Sequence, residues 1–232
     1  AKLRDILITG GDALMSSNNS LEKILNAVLV MAENKIEDNK TRKLEDKHAE
    51  MLRIRLGTRL PVYLPQRINS ELIRILRDFK TKASILGFKQ FFIQTHFESP
   101  MEVTAESAEG IHKLISAGWS VTNQMVFTAA ASRRGHSAKL RKVLNDIGVI
   151  NYYTFSVKGY LENSHNFATN ERAMQEQLEE KAIGWIPKEY SEEIAKYSED
   201  AENIVQNIAD LRKRLGVPYL GTDRNVLNLP GV

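Results

Sequence analysis

The sequence predicts an α/β fold built on a parallel sheet, and three observations carry that prediction. Short β-rich runs recur along the chain, helical patterns lie between them, and glycines punctuate the boundaries. Five or six such βα units follow one another with no shift in composition over 232 residues, so residues 1–232 read as one barrel-like or open α/β domain.

The first run is Asp5–Thr9, ended by Gly10-Gly11 and followed by a helix from Ser20, whose side chain is placed to cap it, to Ala32. The second run is Met51–Leu56, ended by Gly57. A helix over Asn69–Lys80 follows, with Ile73, Leu76 and Phe79 on one face and Asn69 or Ser70 as the cap. Phe88–Phe97 is the third strand, Thr104–Ala117 its helix, and Gly118 the stop. Trp119–Phe127 makes the fourth strand, Ser137–Ile147 a helix ended by Gly148, and Val149–Val157 the fifth strand. Beyond Thr169 the pattern is helical to Leu215 with a break at Gly184–Pro187, and Val217–Leu220 resumes a β pattern. The charged stretches 34–50 and 181–198 read as surface insertions, because charge runs cover solvated faces.

Composition narrows the chemistry. Lys and Arg number 32 against 29 Asp and Glu, for a net charge of +3, and 42% of residues are hydrophobic. There is no cysteine, so this chain supplies no disulfide, no thiolate metal ligand and no thiol nucleophile. No apolar stretch approaches the roughly 18–20 residues that cross a bilayer, and no signal-peptide layout is present, so a cytoplasmic protein with no membrane partner is expected. Acidic and basic residues are interspersed and aromatics are not interleaved with Lys and Arg, so no nucleic-acid partner is expected.

In parallel α/β folds ligands sit beyond the carboxyl ends of the strands, where the βα loops converge. Reading those ends gives Gly10-Gly11-Asp12, Gly57-Thr58-Arg59, Gln94-Thr95-His96, Asn123-Gln124 and Ser156-Val157-Lys158, polar in unit after unit. Each has a structural alternative. The paired glycines either serve a tight turn or let backbone amides approach a ligand, Asp12 either caps a turn or faces the site, and His96 is either a core histidine or a site residue. Arg53, Arg55, Arg59 and Arg67 crowd one strand and its proline-stiffened loop, a pattern suited to a phosphate or carboxylate. Alternation sets Arg53 and Arg55 on one face and Ile54 and Leu56 on the other.

Several of these blocks resemble a known family. DILITGGDALM at Asp5–Met15, RIRLGTRLPVYLPQRI at Arg53–Ile68, QTHF at Gln94–Phe97, the Asn123-Gln124 pair, Tyr152-Tyr153 and LPGV at Leu229–Val232 resemble, in order, the lysine 2,3-aminomutase family of radical S-adenosylmethionine enzymes. The resemblance implies a partial (β/α) barrel of the radical S-adenosylmethionine type, lacking its first, cluster-bearing strand. It implies S-adenosylmethionine, a 4Fe–4S cluster and pyridoxal phosphate as cofactors, an amino acid as small-molecule substrate, and migration of an amino group between adjacent carbons. By that likeness Gly10, Gly11 and Asp12 contact the amino end of S-adenosylmethionine. Asn123, Gln124 and His96 line the same cofactor, and Arg59 or Arg67 helps hold pyridoxal phosphate.

The chain also departs from the family. Relatives hold their cluster through a CxxxCxxC loop after the first barrel strand and carry a cofactor-binding lysine just after a Pro-Gly turn, and neither is present here. The resemblance therefore implies an internal segment of a longer isomerase, inactive alone, with no catalytic residue of its own and no cofactor expected to be tightly bound. Its first strand is expected to be an open sheet edge through which copies associate. Lysine-acting members hold the substrate ammonium with two aspartates; the matching positions here are Lys158 and Asn228, with Asp223 an alternative to the latter. A cation and an amide suit a carboxylate, so L-glutamate or another non-cationic amino acid is the expected substrate and lysine the runner-up. The competing expectation is a non-catalytic α/β module that binds a phosphorylated or nucleotide ligand.

Overall fold

The structure is a computed structural model of the chain, and it describes residues 2–128, 135–157, 187–197, 203–216 and 226–229. Its elements are β1 (Asp5–Ile8), α1 (Asn18–Thr41), β2 (Arg53–Gly57), α2 (Leu60–Tyr63), α3 (Ser70–Ile85), β3 (Gln90–Thr95), α4 (Ala105–Ser116), β4 (Ser120–Val126), α5 (His136–Asp146), β5 (Ile150–Val157), α6 (Ser191–Tyr197), α7 (Ile204–Arg214) and β6 (Val226–Leu229). The chain divides into two compact units. The first comprises Ala1–Phe97, Met101–Asn123 and Leu144–Asn151, and the second Glu98–Pro100, Gln124–Val143 and Tyr152–Val232.

In the first unit β1, β2, β3 and the start of β4 lie side by side in chain order, all parallel. The register aligns Asp5 with Arg53 and Gln90, and Leu7 with Arg55, Phe92 and Ser120. Strand alternation then separates two faces. Ile54, Leu56, Phe91, Ile93 and Val121 are buried on one. The other carries the arginines, where Asp5 takes Arg55 at 2.9 Å and Arg53 at 3.6 Å, and Gln90 accepts from Arg53 Nε at 2.6 Å. The expected split of Arg53 and Arg55 from Ile54 and Leu56 is therefore present. Among the described residues β1 pairs with β2 alone and forms the edge of the sheet.

The apolar side is closed by α3, whose Phe79 ring meets Phe91 at 6.4 Å and Trp119 at 6.1 Å, while Trp119 Nε1 donates to Leu76 O at 3.1 Å. Asn69 caps α3 as expected, its side chain accepting from Leu72 N, a contact that typically contributes about 1 kcal/mol. Thr104 caps α4 in the same way.

Three sequence expectations differ from the structure. The first helix starts earlier, because Ser17 rather than Ser20 is the cap: its hydroxyl accepts from Ser20 N. That helix also runs on to Thr41, through the start of the charged stretch 34–50, and there Lys35 and Asn39 are buried. Lys35 Nζ donates to Leu3 O at 2.5 Å and Ala49 O at 3.0 Å, and Asn39 exchanges two bonds with the backbone of His48, so the helix end fastens the entries to β1 and β2. The third difference is β6, a strand over Val226–Leu229 that the sequence pattern does not announce.

In the second unit β5 pairs in parallel with β6, Ser156 opposite Asn228. Buried Arg141 on α5 donates to Thr154 at 2.5 Å, and Phe127 N donates to Phe155 O at 2.9 Å. Helices α6 and α7 are joined by Glu193, which accepts from Tyr197 and Arg214. Of the stretch 181–198, residues 187–197 are described; the expected β pattern at Val217–Leu220 lies outside the described residues. No helix among the described residues is long and apolar enough to cross a membrane.

Candidate functional site at the strand ends

In the first unit the carboxyl ends of β1, β2 and β3 bring together Gly10, Gly11, Asp12, Thr58, Arg59 and His96. Gly10 and Gly11 adopt φ of +107° and +79°, which side-chain-bearing residues rarely do, and no atom lies within 4 Å of where a Cβ would stand on either. The double glycine thus answers a backbone requirement, and its chain borders open space.

Asp12 turns the other way. Its Oδ1 accepts from Leu14 N at 3.0 Å and from Thr58 Oγ1 at 2.5 Å, and its Oδ2 accepts from Arg59 N at 2.6 Å. Thr58, itself 3% exposed, also accepts from Leu60 N at 3.0 Å, and its amide donates to Gln94 O at 2.9 Å. Arg59 carries the connection onward: Nε donates to His96 O at 3.0 Å, Nη2 to Glu102 at 3.1 Å, and the guanidinium lies 4.5 Å from the Tyr63 ring centroid. Glu102 is set by Ser107 Oγ, which donates to its carbonyl at 2.9 Å.

Two other candidates brace loops. Arg67 Nη2 donates to Ser16 O at 3.1 Å and to Asn18 Oδ1 at 2.5 Å, tying the β2–α3 connection to the loop between β1 and α1. Asn123, 2% exposed, binds the backbone of Phe97 on both sides of its amide. His96 is half-buried just past the end of β3, where the sequence reading expects the strand to surface. Gln124, half-buried in β4, belongs to the second unit. Asn228 is in β6, and Lys158 lies outside the described residues.

Glu102 and Asn18 escaped the sequence reading, which named Thr58 only as one of the polar strand-end residues. Glu102 sits two residues ahead of a helix cap, and proximity to that signal was the available clue. Among the described residues no group of three or more His, Asp and Glu is positioned as a metal site, and the chain holds no cysteine. The donors of a 4Fe–4S cluster are thus not among these residues. The open Gly10-Gly11 backbone does fit the approach of a small polar ligand group.

The polar network of this parallel α/β unit lies at the carboxyl ends of its strands, where ligands of such folds bind. No protein-family model matches the chain. An uncharacterized KamA family protein of Methanocaldococcus jannaschii is 35% identical over 176 residues, 76% of this chain and 24% of that protein. Glutamate 2,3-aminomutase of Clostridioides difficile is 32% identical over 170 residues, 73% of this chain and 34% of that protein. L-lysine 2,3-aminomutase of Methanococcus maripaludis is 33% identical over 131 residues, 56% of this chain and 24% of that protein. The chain belongs to the lysine 2,3-aminomutase family, and it spans about a quarter to a third of the length of these relatives.

Proposed function

We propose that this chain is the strand-end core of a radical S-adenosylmethionine amino acid 2,3-aminomutase, a cytoplasmic isomerase whose partial (β/α) barrel acts on L-glutamate or another non-cationic amino acid. The observation that carries the reading is the network joining Gly10-Gly11-Asp12, Arg59 and His96, which falls on the sequence blocks that resemble the family, in a chain 32–33% identical to relatives named as 2,3-aminomutases.

In this reading the Gly10-Gly11 turn receives the amino end of S-adenosylmethionine, His96 and Asn123 belong to the surroundings of that cofactor, and Arg59 or Arg67 serves pyridoxal phosphate. When bound, S-adenosylmethionine supplies the radical and pyridoxal phosphate carries the migrating amino group. This chain's residues bind and orient. They offer neither the thiolates of a cluster nor an assigned lysine for pyridoxal phosphate, so the chain alone is inactive and no step is assigned to either group.

The substrate preference rests on Lys158 and Asn228. Asn228 lies opposite Ser156 in the β5–β6 pair, and Lys158 follows that strand in the sequence. A cation beside an amide attracts the distal carboxylate of glutamate and repels the ammonium of lysine. The test is turnover by the full-length protein that contains this segment, with L-glutamate and L-lysine in parallel. Glutamate is expected to be converted and lysine not, with Lys158→Asp shifting the preference toward lysine. Conversion of lysine with glutamate ignored would overturn the substrate assignment.

A further inference from the structure

We propose that Asp12 is a positioning residue, which shapes the ligand-facing turn through the backbone and does not itself touch the ligand. The proposal rests on the functional reading above for the identity of that ligand, and on geometry for everything else.

The carboxylate spends three of its roughly four acceptor sites on the fold, taking Leu14 N, Thr58 Oγ1 and Arg59 N. Those donors come from two directions. Leu14 belongs to the loop that Gly10 and Gly11 open, and Thr58 and Arg59 belong to the end of β2. Ala13 N adds a parallel tie to Gly57 O at 3.0 Å, so the residue after Asp12 is stapled to the same strand. Thr58 cannot swing away, because its hydroxyl is held by Leu60 N and its amide by Gln94 O. The side chain of Asp12 is therefore directed into the fold, while the backbone two residues before it borders open space.

The same carboxylate reaches β3 through one further link, since the residue whose amide it fixes is the one whose guanidinium holds His96 O and Glu102. One side chain thus sets the relative placement of the loops that carry the glycine turn, Arg59 and His96. A group with that arrangement governs affinity by preorganisation, which tightens a site without adding a contact.

Asp12→Asn tests this with little change of shape. An amide nitrogen in place of Oδ2 presents a donor to the Arg59 N–H, and the flipped amide presents it to Leu14 N and the Thr58 hydroxyl instead. Thr58→Val removes the donor to Asp12 and with it the acceptor for Leu60 N at nearly constant volume, and Thr58→Ser retains both. Across the three variants, backbone amide hydrogen exchange is compared in this chain and calorimetric titration with S-adenosylmethionine in the full-length protein that contains it. Asp12→Asn and Thr58→Val are expected to speed exchange at Leu14 and Arg59 about tenfold, leave Ile54 and Leu56 within about twofold, and weaken S-adenosylmethionine about tenfold, with Thr58→Ser like the wild type. Unchanged exchange at Arg59 in Asp12→Asn would overturn the proposal, as would a uniform rise across the sheet. Lost affinity without altered exchange would make Asp12 a direct contact and equally sink it. A full-length wild-type protein that gives no heat with S-adenosylmethionine would remove the functional reading, and the exchange pattern would then decide the positioning role on its own.

Discussion

Asn123 holds Phe97 from both sides: its Oδ1 accepts from Phe97 N at 2.7 Å and its Nδ2 donates to Phe97 O at 3.0 Å. Both residues are buried, so neither half of that exchange has water to fall back on. The pair fastens the middle of β4 to the residue that follows His96. Asn123→Ala leaves a buried N–H and C=O without their partner, and a loss of about 1–3 kcal/mol is expected in urea unfolding. Asn123→Asp keeps the acceptor, loses the donor and buries a charge, so it should be the more damaging change. An Asn123→Ala midpoint equal to that of the wild type would show that the exchange does not support the fold.

Lys35 predicts an alkaline signature. Burial among neutral partners pushes its ammonium below the ordinary lysine range. Between that lowered value and the unfolded value of about 10.4, the unfolded chain binds more protons, so this residue's contribution to stability rises with pH through the window. Subtracting the Lys35→Met unfolding curve from the wild-type curve should isolate that rise from other titrating groups. A difference that stays flat up to pH 10.5 would contradict it.

Glu193 predicts the opposite limb. Hydrogen bonds from Tyr197 and then Arg214 hold its carboxyl below the usual carboxylate range. Its contribution is present above the unfolded value of about 4.3 and is lost as pH falls through the lower folded value. The advantage of the wild type over Glu193→Gln, read from the helical signal of α6 and α7, should shrink as the solution is taken from about pH 5 to pH 3. An advantage that grows on acidification would refute the assignment.

The open edge at β1 predicts self-association. Leu7 is 42% exposed on that edge strand, and an unprotected parallel edge invites another chain. Size-exclusion chromatography of this chain at increasing concentration should move toward larger species, and Leu7→Lys should suppress the shift. A monomer at every concentration would count against an association through this edge.

The strands and the αβ alternation were legible because their signals are local. Alternating Arg53-Ile54-Arg55-Leu56 and the cap Asn69 need no partner from elsewhere to be read. What escaped depends on distance along the chain. Asp12 meets Thr58 and Arg59 across 46 and 47 positions, and Lys35 finds Leu3 across 32, so neither a clamp nor a buried lysine is visible in a local window. The charged neighbours of Lys35 and Asn39 hid them, since a charge run reads as solvated throughout. Ser20 displaced Ser17 as the expected cap because both are capping types, and only the hydroxyl-to-amide contact separates them.

The turn at Gly10 and Gly11 is constrained by handedness and not by size. With open space where each Cβ would stand, bulk is no obstacle there; the left-handed backbone is, and it penalises every L-residue whatever its side chain. A mirror-image residue prefers that backbone. D-alanine introduced at either position by chemical ligation should therefore be accepted where L-alanine is strained, which makes chirality the quantity that natural sequence variation at this turn cannot explore.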